Sequence, residues 1–561
     1  MLDALADQYW QRAVRNEHFL RTQLRLPVET IRPLDPDLAE EDASFARGLL
    51  DGLEAVDVAA IDHDRWLTYR TLRYIAWRTV GIATHFWLRQ ETTPFAGGAH
   101  FAVLSPVFAG VEFATAADVE RYRSLLHQYA AFVRSLRAFL GGQHRRGIIL
   151  PNAETDATQA AFEGYARLAQ TAALVPDDDR LTALSAGERA ALQRHARAVI
   201  DAEIVPAFRE IAAYLAGPYR EGAPEGVGLA QYRGGEEFYR HLVVENTTLT
   251  VTPEELQAIG LEHVGRLRER LDEIQSAVGF SGSRGEFKAF LGSDAQFFAA
   301  TTHEFGERLE RYVARAASAV PRFFRRTPRA PYGVDPLPTE LAESQTFGYY
   351  DRPTPARPRG RYLYNAWHPE RTSALGAGAL ICHELIPGHH FQIALQQENE
   401  ALPDVRRYDS WETGFVEGWG EYAAELGGEM GVYETPYDWA GRIMQDLMVT
   451  VRLVVDTGMN VLGWNQERAM AYMRDHLILS EEQLQTESLR YGTDIPAQAL
   501  AYKTGELKML DVRRRAQERL GTGFDIRRFH SWVIDSGSMT LDTLREHVDY
   551  ETSSRITNDG S

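Results

Sequence analysis

AADVERYRSLLHQYAAFVRSLRAFLGG, residues 116–142, sets apolar side chains at steps of three and four and ends on a glycine pair. That spacing gathers the apolar groups on one face of a helix, and the glycines stop it. Similar runs fill 184–216, 252–276 and 299–319. At 252 the chain places Thr252, Pro253 and Glu255 in order, which is N-cap and first-turn chemistry. The pattern predicts a mainly α protein with more than half of its residues helical. Loops are marked by Pro and Gly clusters at 217–235 and 326–360. The second leads into SQTFGYYDRPTPARPRGRYLYNAWHP (344–369), whose aromatic and β-prone pieces between prolines predict a small β insertion. An edge strand there could hold an extended substrate by main-chain pairing; the other reading is an irregular connector.

The 561 residues are 44% hydrophobic, 11% aromatic and 25% charged, which is ordinary globular usage. The expected organisation is one catalytic unit over 1–561 with lobes at 1–235 and 236–552 and a flexible tail at 553–561. A net charge of −19 argues against nucleic acid as a partner, because phosphate binding draws on Lys and Arg. No run of about 18 apolar residues is present, so no membrane span is expected. The N-terminus lacks the features of a secretory signal, and the single cysteine, Cys382, allows no intrachain disulfide. Cytoplasm is the expected location. Cys382 is expected in the core. GVGLAQYRGG is Gly-rich but lacks the Lys and Ser or Thr of a phosphate loop.

Chemistry concentrates in ALGAGALICHELIPGHHFQIALQQENE (374–400), with three histidines and a glutamate within eight residues. In His-Glu-x-x-His, two histidines one helical turn apart bind zinc and the glutamate acts as general base. Here Pro387 occupies the second histidine's place. In a regular helix a step of six turns a side chain about 240° away, and a step of seven moves it about 10.5 Å along the axis. Pro387 and Gly388 therefore predict a bulge or break; a bulge of two residues would bring His389 to the second-ligand position. His383 and His389 are the expected ligands, with His390 as the alternative ligand or a substrate contact. A hydrolytic zinc site needs a third protein ligand and an open position. In DSWETGFVEGWGEYAAELGGEMG, Glu417 and Glu421 stand four apart on one helical face. Glu417 would ligate, and Glu421 would accept the free N–H of a ligating histidine.

These residues resemble the family known as domain of unknown function 885, DUF885, whose members look like zinc metallopeptidases with a pattern His-Glu-x-x-Pro-Gly-His. The position after that pattern is not fixed in the family, which favours His389 over His390. The resemblance extends through GVGLAQYRGGEEFYRHLVVENTTLTVTPEEL, VRLVVDTGMNVLGWN and ESLRYGTDIPAQALAYKTGELKML. Asn460 departs from it, since relatives often carry histidine there. FVEGWGE is similar to the third-ligand segment of helical peptidases such as angiotensin-converting enzyme and thimet oligopeptidase. That likeness implies Glu417 as ligand and a large two-lobed helical body with the site in a deep central channel.

The implied chemistry is hydrolysis of short peptides, with zinc or another divalent metal acidifying water and Glu384 moving its proton. Tyr502 or Tyr491 would donate to the oxyanion, and Arg490 and Lys503 would grip a substrate carboxylate. Asp456 is expected to support the ligands. Two alternatives use the same residues: amide hydrolysis of a non-peptide metabolite, and a non-catalytic metal-binding scaffold. An intact Glu384 speaks against the scaffold, because a structural site needs no base.

Overall fold

The 116–142 run folds as α1 (Ala116–His144), and its start is set by a reciprocal cap. Thr115 Oγ1 accepts from Asp118 N at 3.3 Å, and the Asp118 carboxylate accepts from Thr115 N at 2.7 Å. The computed structural model describes residues 1–171, 174–337, 348–354, 357–365 and 367–559. Helix accounts for 72% of the described residues, and a three-stranded sheet is the small β insertion, so the fold is mainly α.

The chain divides into two compact units. The first comprises Met1–Ala60, Leu72–Tyr239 and Leu489–Pro496. Its core gathers α1, α2 (Asn152–Thr171) and α3 (Val205–Ala216) around Tyr122, Leu126, Phe162, Phe208 and Ile211. Each such side chain contributes about 1.5–3 kcal/mol by leaving water. The Tyr122 hydroxyl is satisfied by donating to Leu174 O at 2.9 Å.

The second unit comprises Ile61–Thr71, Arg240–Ser488 and Ala497–Ser561. Its helices include α4 (Pro253–Ala277), α5 (Thr302–Phe323), α6 (Ala377–Glu384), α7 (His389–Glu398), α8 (Thr413–Met430), α9 (Pro436–Asn460), α10 (Ala501–Leu520) and α11 (Leu541–Asp559). The cap expected at 252 is present, with Thr252 Oγ1 accepting from Glu255 N at 3.2 Å. In α9 the β-branched run MVTVRLVV is strand-like by propensity, yet burial of nearly its whole length keeps it helical. α8 packs along α10 at very short range. A Cβ on Gly418 would lie 2.5 Å from Gly505 Cα, so the crossing requires glycine on both helices.

The sheet order is β1 (Tyr332–Pro336), β3 (Gly360–Tyr364), β2 (Tyr349–Asp351). β3 runs parallel to β1 and antiparallel to β2, with Tyr362 opposite both Val334 and Tyr350. The insertion expected over 326–360 falls partly on 338–347 and 355–356, outside the described residues. At the other end, α11 continues through Asp559 into the stretch expected as tail, and 560–561 lie outside the described residues. No helix among the described residues is long and apolar enough to cross a membrane.

Candidate metal centre

α6 ends at Glu384, where Leu385 leaves helical geometry at φ −112°, ψ −85°. Pro387 has no N–H to donate to the preceding turn, the Ile386–Pro387 peptide is cis, and a new helix starts at His389 with Gly388 before it. The segment therefore breaks into two helices rather than bulging within one. The turn is tied from outside: the Trp419 indole N–H of α8 donates to Pro387 O at 2.9 Å and lies 3.3 Å from Gly388 O. Gly388 O also accepts from Gln392 N at 3.1 Å, so it is Pro387 O that depends on the indole.

This break brings together the three residues expected as ligands. His383 Nε2 is 3.5 Å and His389 Nε2 3.4 Å from Glu417 Oε2, and one donor atom from each lies within 4.8 Å of the others. Two ligands each about 2.1 Å from a tetrahedral ion stand about 3.4 Å apart, so these spacings fit a shared divalent cation. The two imidazole planes are 83° apart with centroids at 4.6 Å, which lets both lone pairs converge without ring overlap. Space for this exists because Gly420 has no side chain: a Cβ there would lie 2.6 Å from His383 Cε1.

Support comes from the next turn of α8. Glu421 Oε1 is 3.0 Å from His383 Nδ1, a charge contact bent away from ideal hydrogen-bond direction. Glu421 is itself held by Arg442 Nη1 at 2.8 Å and Gln445 Nε2 at 3.1 Å. Burial opposes charge on Glu417 and Glu421, but the histidines, and for Glu421 first Arg442, hold both carboxyls well below the usual range. Burial likewise opposes a charged His383, yet Glu417 and Glu421 raise it to about 10. A site that so favours positive charge on its nitrogens is prepared for a cation. His389 Nδ1 is buried with no hydrogen-bond partner among the described residues.

Glu384 ends α6 beside this cluster and is half-buried. Burial raises its carboxyl above the ordinary value, His383 and His389 oppose that, and Glu417 and Glu421 reinforce it. Tyr502 stacks on His383, with centroids 6.1 Å apart and planes at 16°, and its hydroxyl accepts from Gln498 Nε2 at 3.5 Å. Other expectations fare differently. His390 turns away from the cluster: Nε2 donates to Ala330 O at 3.1 Å and Nδ1 faces the Tyr350 hydroxyl at 3.0 Å. With both nitrogens occupied it is neither the alternative ligand nor open to substrate. Lys503 does not face substrate; it is buried and donates to Asp446 at 2.7 Å and Glu506 at 2.8 Å. A buried ammonium is stable only when so paired. Asp456 does not support a ligand either, since both its oxygens accept from Ala497 N at 3.1 Å, and Asn460 Nδ2 donates to it at 3.2 Å. Arg490 and Tyr491 belong to the first unit, where Arg490 lies over the Phe95 ring at 5.6 Å and Tyr491 is buried. Cys382 is fully buried, its thiol pushed up to about 12 by burial, and it packs in the core.

Sequence reasoning missed Arg442, Gln445, Trp419 and the tyrosines of the sheet. A signal existed for one of them, because Arg442 and Asp446 stand four apart on one face of a helix whose following turns, LMVTV, are mostly apolar. Tyr350 and Tyr362, paired across β2 and β3, both feel the charge of Glu384, and burial raises both phenols.

A helical protein with a two-imidazole, one-carboxylate cluster and a carboxylate next to the first imidazole defines the class. The chain belongs to the family described as "Bacterial protein of unknown function (DUF885)", whose model matches residues 21–548. Among solved structures it is similar to "the putative lipoprotein from Colwellia psychrerythraea", at 22% identity over 99% of both chains with a TM-score of 0.88. It is also similar to "a putative lipoprotein of unknown function from Shewanella oneidensis", at 17% identity over 97% of this chain and 99% of that one, with a TM-score of 0.74. At these identities the two share its fold. No curated protein matches.

Proposed function

We propose that the protein is a metal-dependent hydrolase that cleaves peptide bonds in short peptides. The observation that carries this reading is the convergence of His383 Nε2, His389 Nε2 and Glu417 Oε2 at 3.4–3.5 Å, with Glu384 directly beside them. The donor set suits Zn2+, and the same nitrogen and oxygen ligands accept other divalent ions. A cation held there supplies a Lewis acid that polarises a substrate carbonyl and makes water more acidic. Glu384, next to His383 in the chain, takes the water proton on its carboxylate and passes it to the leaving amine. Glu421, braced by Arg442, fixes the His383 tautomer so that Nε2 presents its lone pair. Tyr502 is assigned to donate to the oxyanion, and its stacking on His383 supports that assignment. The likeness of FVEGWGE to the third-ligand segment of the angiotensin-converting enzyme and thimet oligopeptidase type supports both Glu417 as ligand and a peptide substrate.

The test is Glu384→Gln in metal-loaded protein, with products from a mixed library of short peptides read by mass spectrometry. Turnover should fall about 10²–10⁴-fold with metal content unchanged. Equal cleavage by the variant refutes the mechanism, and cleavage of non-peptide amides alone refutes the peptide assignment. A cytoplasmic location is part of the proposal and rests on the sequence. The two similar solved structures are each described as a "putative lipoprotein", so fractionation of cells is the deciding measurement.

A further inference from the structure

His547 and Glu551 stand four apart on α11 and share a helical face. His63, 484 positions away in sequence, opens the helix His63–Thr84 and brings its Nε2 to 2.7 Å from His547 Nδ1. One donor atom from each of the three residues lies within 4.8 Å of the other two. The protonation pattern is set from behind. His547 Nε2 is 3.0 Å from Trp532 O, and a carbonyl only accepts, so Nε2 carries the proton and Nδ1 presents a lone pair. A backbone carbonyl on the far nitrogen is the usual support of a metal-ligating histidine. The His63 ring is held by stacking on Tyr550 at 3.7 Å and Trp66 at 5.1 Å. Glu551 is half-buried and makes no hydrogen bond or ion pair with a described residue. The positive charge facing both imidazoles, Arg406, is neutralised by Asp64 at 2.7 Å and donates to Ser536 O at 2.7 Å.

We propose that His63, His547 and Glu551 form a second site for a divalent transition-metal ion of the Zn2+ or Co2+ class, made of different residues from the His383 centre. Two imidazoles and a carboxylate suit such ions, and water would complete the coordination. In the metal-free protein His63 Nε2–H donates to His547 Nδ1. Binding moves that proton to His63 Nδ1, so His63 stays neutral and its Nε2 becomes a ligand. The nitrogens then open from 2.7 Å to about 3.4 Å, a shift within reach of ring rotation on a half-buried side chain. The ion would tie the last helix of the chain to residue 63.

The test is Co2+ titration of metal-stripped, full-length protein, followed by visible absorption and equilibrium dialysis. The parent should bind two Co2+ per chain, and His383→Ala/His389→Ala should bind one. His63→Phe, which keeps a ring stacked on Tyr550, and Glu551→Gln, which keeps the shape of a half-buried side chain, should each lower affinity for one equivalent at least tenfold. If His63→Phe misfolds, as judged by circular dichroism, Glu551→Gln carries the test. The proposal is overturned if His383→Ala/His389→Ala binds none. It is also overturned if Glu551→Gln keeps both equivalents at parental affinity, or if the second equivalent enters only at millimolar Co2+. A parent that binds one Co2+, retained in His383→Ala/His389→Ala and lost in Glu551→Gln, supports this site and removes the basis of the hydrolase.

Discussion

Replacing Gly420 by alanine should separate metal affinity from stability. The new methyl carbon would lie 2.6 Å from His383 Cε1 and 2.8 Å from both ring nitrogens. Ordinary contact needs about 3.5 Å, so the ring must retreat by about 0.9 Å or α8 must shift. His383 Nε2 then leaves its position opposite Glu417, and affinity for Zn2+ should drop about 10–100-fold, as when a supporting residue of a metal site is lost. In free-energy terms that is about 1.4–2.7 kcal/mol. The same change adds about 1 kcal/mol of helix propensity to α8, which partly offsets an overpacking cost of about 1–3 kcal/mol. The metal-stripped variant should therefore melt close to the parent. Gly418→Ala is the control: its methyl would meet Gly505 backbone at 2.5 Å, which no rotamer change relieves, so it should lower the apparent Tm and leave the remaining folded fraction able to bind. The assay is competition against a chelator with Zn2+, alongside thermal unfolding of the metal-free forms. Parental Zn2+ affinity in Gly420→Ala would refute the placement of His383 as a ligand.

Lys503→Met leaves the buried Asp446 and Glu506 with Arg442 as their remaining cation, at 3.8 Å and 3.1 Å, so urea unfolding should show a loss of about 3 kcal/mol, the low end for breaking a buried ion pair. A raised KM with unchanged stability would instead return Lys503 to substrate binding. Ala497 sits at φ +66°, so Ala497→Gly should relieve backbone strain and, after the entropy cost to the unfolded chain, gain up to about 1 kcal/mol in the same assay. His530 is fully buried between Tyr422 and Phe323 O, and burial lowers its pKa from 6.5 to about 3. The unfolded chain therefore binds a proton that the folded one refuses, and stability falls on acidification from pH 6.5 to about 3, by up to about 1.4 kcal/mol per pH unit. Acid unfolding followed by tryptophan fluorescence should show this slope reduced in His530→Gln.

The cluster was legible where local geometry decides and illegible where tertiary partners decide. Glu417 and Glu421 are one turn apart on any helix, so their shared face follows from spacing. The Pro-Gly pair announced a departure from helix, but whether the helix bulges or restarts depends on the Trp419 clamp, which is 31–32 residues away in sequence. His389 and His390 are adjacent, and only Ala330 and Tyr350 distinguish them. Lys503 and Asp456 were misassigned for one reason: a charged residue near a motif says nothing of whether another buried charge or a backbone N–H already holds it. Arg490 and Tyr491 follow the motif in sequence, yet Leu489–Pro496 returns to the first unit. The helical body itself was plain from periodicity, because apolar faces such as that of α1 need only a neighbour of any kind.

Within five consecutive residues α8 supplies a candidate ligand at 417, the indole that fastens the Pro-Gly turn at 419, the vacant side-chain position at 420 and the histidine brace at 421. Inserting one residue just before Glu417 would rotate that quartet by about 100° against the rest of the helix and miss every one of these contacts together. Such a frame slip cannot be repaired by one compensating substitution, so natural variation in this chain should change letters in α8 while holding its length fixed.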